Sequence, residues 1–259
     1  VRSFNFRELG SDYDEIIPEV ALRFTFALAP YHVDAINSFI ESLYYYALMI
    51  PETPEVVEVF HEIATLTEVD LSDFVENPNI FYEYAYSSLF LSNSRKLCFD
   101  FIDNKCEQKR GNDFLCILIS YPPTEAMMYL ISATIKAATK YSLGSEVFEW
   151  IVECVNQQIH FQSPIEMSTF LYLVSRATLR IIAPEHQEFL QALAPLVFEI
   201  VTTSVSESNE VYKNEEFPND EEAFLCSDEF IIECSKCIAT VTNAIRVARK
   251  IMRSGSIEF

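Results

Sequence analysis

Residues 144–182 read GSEVFEWIVECVNQQIHFQSPIEMSTFLYLVSRATLRII, and this stretch contains the pattern that decides the fold. Before Ser163-Pro164, apolar residues recur at the helical period, while Glu146, Glu149 and Glu153 share the other face. The apolar stripe consists of Val147, Ile151, Cys154, Val155 and Ile159. These residues therefore predict an amphipathic helix that ends before Ser163.

A second helix is predicted directly after this break. Ser163 is a favoured N-cap residue, and a proline is tolerated in the first helical turn. Its apolar stripe consists of Met167, Phe170, Leu171, Val174, Ala177 and Ile181. Leu173 and Leu179 fall on a second side, as expected for a helix packed between two neighbours.

The alternation of amphipathic segment and break continues along the chain. The breaks fall at Pro30, Pro51 to Pro54, Asn77-Pro78, Gly111-Asn112, Pro122-Pro123, Gly144, Ser163-Pro164 and Pro184. Two helices and two breaks make a unit of roughly 40 residues, which is the range of HEAT and armadillo repeats. The predicted fold is therefore all-α, a HEAT/armadillo-like α-solenoid of stacked antiparallel helix pairs over residues 1–205.

Two segments nearer the N-terminus give specific predictions. One has Glu55, Glu58 and Glu62 opposite an apolar stripe of Val56, Val59, Phe60, Ile63 and Leu66. At Asn77-Pro78, proline disfavours helix at the preceding residue but suits the first turn of a new helix. A helix is therefore expected to begin near Pro78 and to run through Phe81, Tyr84 and Ala85 toward Leu89.

Composition narrows the functional classes. The 259 residues are 50% hydrophobic, include only 4 Gly, and carry a formal net charge of -21. A chain with this negative charge repels nucleic-acid phosphates and attracts basic proteins. Direct binding to nucleic acid is therefore not expected. The apolar segment 165–182 is interrupted by Glu166, Arg176 and Arg180, so membrane insertion is not expected either.

The number and distribution of the cysteines indicate the cellular compartment in which the protein is expected. Seven cysteines, an odd number, are scattered through predicted helices, which is atypical of a disulfide framework and favours the reducing cytoplasm or nucleus. The start, Val1-Arg2-Ser3-Phe4, resembles neither an initiator methionine nor a signal peptide, so the chain is expected to be a piece of a longer protein.

Residues 206–228 depart from the helical pattern. This segment contains Glu207, Glu210, Glu215, Glu216, Asp220, Glu221 and Glu222, opposed by Lys213 alone. Its like charges and Pro218 predict a flexible loop between a helix ending near Val205 and another beginning near Ser227. Two interpretations stay open, a solvated spacer and an acidic loop that binds a partner.

Residues 229–259 are predicted to form one continuing C-terminal helix of the solenoid. Its apolar stripe would contain Phe230, Ile231, Cys234, Ile238, Val241, Ile245, Ala248 and Met252. A basic cluster follows in its last turns, formed by Arg246, Arg249, Lys250 and Arg253. Cations at a helix C-terminus complement the helix dipole, which accounts for this cluster without a ligand.

The search for catalytic chemistry gives no enzyme signature. Cys234 and Cys237 have the spacing of a zinc or redox half-site, but without a second ligand pair they are predicted to be buried helix cysteines. His61-Glu62 opens like a zinc-protease helix, yet Thr65 stands where the second histidine belongs. No nucleophile motif accompanies the histidines, and we expect no catalytic residue, metal or cofactor.

Residues 70–82 read DLSDFVENPNIFY, and residues 95–102 read RKLCFDFI. These two segments resemble the importin-β superfamily of nuclear transport receptors, most clearly its importin and CAS-type exportin branch. Residues 106–111, CEQKRG, resemble a run in the leucine-rich export-signal receptors. The resemblance implies a central or C-terminal fragment of a HEAT-repeat receptor that binds protein cargo, Ran-GTP and phenylalanine-glycine nucleoporins, with the acidic loop contacting Ran or cargo.

Two alternatives remain beside a transport receptor. One is a HEAT or armadillo scaffold unrelated to transport, such as a phosphatase regulatory or vesicle-coat subunit. The other is an all-α enzyme of an unrecognised family, which would need an inward-facing polar cluster. Binding to Ran-GTP separates the first alternative from a receptor, and an elongated shape separates a solenoid from a compact enzyme.

Overall fold

The computed structural model describes residues 54–86, 94–107, 111–156, 163–182, 186–208 and 228–253. Within these ranges the chain forms α-helices and no β-strand. The helices are α1 (Pro54–Ala64), α2 (Glu68–Glu76), α3 (Pro78–Tyr86), α4 (Ser94–Glu107), α5 (Gly111–Ile119), α6 (Glu125–Lys140), α7 (Gly144–Asn156), α8 (Pro164–Thr178), α9 (Gln187–Ser208), α10 (Asp228–Ser235) and α11 (Ile238–Arg253). The predicted all-α class is confirmed.

Side-chain caps set several of the helix starts. The Ser163 hydroxyl accepts a hydrogen bond from the Glu166 backbone N–H, and the Glu166 carboxylate accepts one from the Ser163 N–H. Thr67 and Asp70 form the same reciprocal arrangement at the start of α2. Such caps satisfy backbone N–H groups that have no partner within the helix. The predicted N-cap at Ser163 is confirmed.

The predicted interruption at Asn77-Pro78 is also confirmed. Helix α2 ends at Glu76 and α3 begins at Pro78. The Asn77 side-chain oxygen accepts a hydrogen bond from the Ile80 backbone N–H at 3.2 Å, as an N-cap residue does. Helix α3 includes Phe81, Tyr84 and Ala85, and Leu89 lies outside the described residues.

Helix α6 lies at the centre of the described part of the chain. Twelve residues of this 16-residue helix are buried, so it has no solvent-exposed face over most of its length. It packs against α1, α4, α5, α7 and α8. Helix α8 then contacts α11, and the four helices α4, α6, α8 and α11 lie side by side in that order.

The α2–α3 hairpin connects distant parts of this row. Helix α3 contacts both α4 and α11. Phe74 of α2 packs edge to face against Phe81 of α3, with ring centroids 5.6 Å apart, and Ile165 of α8 completes this small cluster. The hairpin therefore contacts both the first and the last member of the row, α4 and α11, and also α8 through Ile165.

The predicted amphipathic stripes are largely confirmed. In α1 and α7 the buried side chains include Val59, Phe60, Val147 and Ile151, and the described glutamates of both helices are exposed. In α8 the predicted stripe and Leu173 are buried. Leu179 is 76% exposed, so its predicted burial is wrong, because α8 ends at Thr178 and Leu179 is its C-cap.

The single C-terminal helix predicted for residues 229–259 is wrong. The structure has α10 and α11 in its place, and the break falls at Lys236 and Cys237. The Ile238 backbone N–H donates to the Asn79 side-chain oxygen at 2.9 Å instead of continuing the helix. Because α11 begins anew there, its buried face differs from the predicted stripe and consists of Thr240, Asn243, Ala244, Val247, Ala248 and Ile251.

Candidate protein-binding surface

The predicted acidic site residues fall mostly outside the described part of the chain. Glu207 is in the last turn of α9, which continues to Ser208, so the predicted helix end near Val205 is three residues too early. No Pro or Gly stands between Val205 and Ser208 to stop the helix. The remaining predicted residues, Glu210, Glu215, Glu216, Asp220, Glu221 and Glu222, lie outside the described residues.

Three buried cysteines, Cys98, Cys106 and Cys154, are poorly suited to nucleophilic catalysis. Burial raises the pKa of the Cys106 thiol from 9.0 to about 12, with a further contribution from Asp103. Burial also raises the pKa values of Cys98 and Cys154 above the ordinary range. Because the thiolate is the reactive form, these three groups stay protonated and inert near neutral pH.

Cys234, Cys237 and the two described histidines, His61 and His186, contribute to packing and hydrogen bonding. Cys234 and Cys237 are both buried, as predicted, although Cys237 lies between α10 and α11 rather than in a helix. His61 Nε2 is 3.0 Å from the Thr124 hydroxyl, and the His186 ring stacks on Phe148 with centroids 3.7 Å apart. Among the described residues, no cluster of three His, Cys, Asp or Glu side chains could hold a metal ion.

A buried ion pair joins the helices around α6. The guanidinium of Arg95 on α4 bonds Glu125 at the start of α6, and both side chains are at least nine-tenths buried. Arg95 Nη1 also donates to the Ala64 carbonyl at 2.9 Å, and its guanidinium lies 4.3 Å from the Tyr129 ring centroid. Thr169 on α8 donates a further hydrogen bond to Glu125. This group connects α1, α4, α6 and α8.

A second polar group joins α8 to α6. Arg176 Nε donates to the Ser132 carbonyl at 2.8 Å, and its Nη1 donates to the Tyr172 hydroxyl at 3.2 Å. Burial raises the pKa of Tyr172 although Arg176 opposes that shift, so the phenol stays neutral. The Arg176–Ser132 bond joins α8 to α6, whereas the Arg176–Tyr172 bond lies within α8. The bonds of the two groups that cross between helices hold the row together.

The surface with binding character lies on the α2–α3 hairpin. Phe74 is the buried residue of α2, whereas four large apolar side chains project into solvent: Val69 (67% exposed), Leu71 (42%), Val75 (81%) and Ile80 (49%). The exposed carboxylates of Glu68, Asp73 and Glu76 lie among them on the same short helix. These seven residues are called the α2–α3 surface below.

Four large apolar side chains are exposed within twelve residues, Val69 to Ile80. Contiguous exposed apolar patches often mark protein interaction sites, whereas apolar residues scattered singly do not. Leu71 and Val75 are one helical turn apart, so their exposed side chains are neighbours on the surface of α2. The sequence analysis did not predict this surface. It could have been recognised from the apolar residues on several sides of the nine-residue helix α2, since so short a helix cannot bury all of them.

Comparison with known protein families, with characterised proteins and with solved structures found no match to this chain. The resemblance to the importin-β superfamily therefore rests on the segments between residues 70 and 111. It stays a prediction.

One described segment has the length and hydropathy of a membrane span. This segment is Gln187–Val205 of α9, with 39% of its residues buried. Core helices of other proteins pass the same test, and Leu190, Leu193, Val197 and Ile200 of α9 are fully buried in the core. The segment is weak evidence for a span, and the absence of membrane insertion stays a prediction.

Proposed function

We propose that this chain is a non-enzymatic, protein-binding α-solenoid of the nuclear transport receptor type. It binds basic protein cargo, Ran-GTP and phenylalanine-glycine nucleoporins, and it works in the cytoplasm and nucleus without a cofactor. The observation that carries the proposal is the α2–α3 surface, where exposed Val69, Leu71 and Val75 stand among carboxylates. Five of its seven residues, from Leu71 to Ile80, lie within the segment that resembles the transport receptors.

The chemistry of this surface favours a basic partner with apolar side chains. Val75 and Leu71 offer apolar area that is lost from water on binding, which is the main favourable term in association. Glu68, Asp73 and Glu76 complement Lys and Arg in the partner. The net charge of -21 accelerates the encounter by attracting positive proteins over longer range.

The order of the helices supports the solenoid. Helices α4, α6 and α8 alternate in the chain yet lie side by side, as alternate helices do in stacked hairpins. The contact of α3 with α11 departs from that pattern, because each repeat of a solenoid contacts only its neighbours. A compact 259-residue domain would have a radius of gyration of about 18 Å. Because a solenoid is elongated, small-angle scattering should give a larger radius for this chain. A radius near 18 Å would contradict the solenoid.

Binding of a basic probe tests the surface. The probe is a fluorescent peptide of alternating Lys and Leu, titrated with the full chain at low and at physiological salt. The variant Glu68→Gln/Asp73→Asn/Glu76→Gln should weaken binding about tenfold, because it removes three carboxylates that attract the positive charges of the peptide. Leu71→Ser/Val75→Ser should weaken it as well.

The matched control is Glu146→Gln/Glu149→Gln/Glu153→Gln on α7, which removes three exposed carboxylates elsewhere. It should change the affinity by less than about twofold, since charges far from the ligand are screened. Equal losses in the two triple variants would mean that net charge, and not the α2–α3 surface, binds the peptide.

Ran locked in its GTP or GDP state then tests the transport role. A transport receptor should retain Ran-GTP and release Ran-GDP, because the γ-phosphate orders the Ran switch segments that a partner recognises. Loss of the Ran interaction with retained peptide binding would leave a scaffold unrelated to transport. Failure of both interactions would overturn the proposal.

A further inference from the structure

A second exposed apolar stripe runs along α11. Ile238, Ile245 and Met252 are 68%, 42% and 47% exposed and follow one another at intervals of seven residues. Seven residues are close to two helical turns, so the three side chains lie along one line on the helix. The opposite side of α11 is buried against α8 and α9 through Ala244, Val247 and Ile251.

Basic residues flank this stripe. Arg246, Arg249 and Arg253 are exposed and occupy the neighbouring face, where Arg246 Nη1 also bonds the Asn243 side-chain oxygen at 3.1 Å. Together with Lys250 they place 4 of the 18 basic residues of the chain within residues 246–253. A local positive field therefore stands on a protein whose net charge is -21.

The helix dipole explains only part of this cluster. Lys250 and Arg253 occupy the last turn of α11, where cations are stabilised by the free carbonyl groups. Arg246 and Arg249 precede that turn, and the dipole effect decays within about one turn. The dipole also gives no reason for Ile238, Ile245 and Met252 to face solvent.

We propose that these six residues, the α11 surface (Ile238, Ile245, Met252, Arg246, Arg249 and Arg253), bind an acidic amphipathic helix of a partner protein. The heptad spacing fits a single helix lying along α11, because a partner helix brings an apolar residue to the seam at the same interval. The arginines select Glu and Asp at the flanks of that seam. This surface is opposite in charge to the α2–α3 surface and takes a different ligand.

An anionic membrane is the less favourable occupant. Most of the apolar side of α11 is buried in the protein, which leaves three exposed side chains for insertion. Stable membrane attachment needs a larger apolar face or a second anchoring signal. An extended membrane of anionic lipid also faces other carboxylates of a chain with net charge -21. A short acidic helix lies mainly against the arginines, because salt screens exposed charges more than about 8 Å away.

The test uses a fluorescent synthetic peptide of three heptads, with Leu at positions a and d and Glu at e and g. Anisotropy titration of the full chain should give binding that weakens as salt is raised. Ile245→Ser and Arg249→Glu/Arg253→Glu should each weaken it about tenfold, through lost apolar contact and through charge repulsion respectively. Circular dichroism and thermal unfolding verify that each variant keeps the helical fold.

Leu179→Ser/Arg180→Glu is the matched control, since both of those residues are exposed and lie beyond the end of α8. The control should bind the peptide as the unmodified chain does. Absence of binding would overturn the proposal, as would equal affinity for a peptide of the same composition in scrambled order. Binding to phosphatidylserine vesicles that Arg249→Glu/Arg253→Glu abolishes, with none to the peptide, would assign the surface to membranes instead.

Discussion

The side-chain amide of Asn243 donates a hydrogen bond to the phenolic oxygen of Tyr82 at 2.7 Å, although 161 residues separate them. The Asn243 side-chain oxygen accepts a second bond from the Ser175 hydroxyl at 2.9 Å. Asn243 is buried, so its polar atoms depend on these partners. One asparagine therefore connects α3, α8 and α11, and fixes where the α2–α3 hairpin lies.

Tyr82→Phe should reduce the free energy of unfolding by about 1–2 kcal/mol, because it removes the acceptor of a buried amide. Urea denaturation of the full chain measures this change. Tyr121→Phe is the control, since the Tyr121 hydroxyl bonds the Pro54 carbonyl at 3.1 Å at an exposed position, where water replaces it. Equal losses in the two variants would contradict a special role for the Tyr82–Asn243 bond.

Glu125→Gln should reduce the free energy of unfolding by roughly 3–5 kcal/mol, because it leaves the buried Arg95 guanidinium without a counter-charge. The double variant Arg95→Met/Glu125→Gln should be less destabilised than the sum of the single variants, and a double-mutant cycle measures the difference. Additive losses would show that the pair is not coupled. The exposed Lys236–Glu233 pair serves as reference, and Lys236→Ala should cost less than about 1 kcal/mol.

Ser142→Gly should stabilise the protein by about 0.5–1 kcal/mol, because Ser142 has a φ of 59° at the C-terminal end of α6. The Leu143 N–H bonds the Ala138 carbonyl at 2.9 Å there, which is the chain reversal that glycine favours. Thermal unfolding measures the change. Ser120→Gly, at an exposed turn position without positive φ, should not stabilise, and a gain in both variants would refute this explanation.

The protein should lose stability as pH rises above about 9. The thiols of Cys106 and Cys154 ionise near 9.0 in the unfolded chain, whereas burial raises their pKa in the folded chain, that of Cys106 to about 12. Between those values the unfolded state binds fewer protons, so each thiol lowers the unfolding free energy by about 1.4 kcal/mol per pH unit. Urea denaturation at pH 7.5 and pH 10 measures the loss, and Cys106→Ala should reduce its slope.

Neutralising Glu215, Glu216, Asp220, Glu221 and Glu222 should weaken the binding of a basic partner and flatten its salt dependence, if the acidic segment 206–228 contacts that partner. Stability should change by less than about 0.5 kcal/mol, as for surface substitutions away from packed features. Titrations with the Lys/Leu peptide at several salt concentrations test this expectation. Unchanged affinity at low salt would identify the segment as a spacer.

Local sequence patterns were sufficient to predict the helical class, the interruption at Asn77-Pro78 and the N-cap at Ser163. They also predicted which faces of α1, α7 and α8 are buried. These features depend on residues within about one or two helical turns of each other: the period of apolar side chains, the fixed φ of proline and the reach of a capping hydroxyl. Such interactions can be recognised without knowing what lies on the other side of the helix.

Only the tertiary structure decided which helices are neighbours and which apolar residues stay exposed. The break before Ile238 depends on Asn79, and the exposure of Val75 and Ile245 depends on which helices pack against α2 and α11. Arg95 is buried because Glu125, Ala64 and Tyr129 meet it from two other helices. These contacts join residues between 30 and 159 positions apart, and local spacing carries no information about partners at that separation.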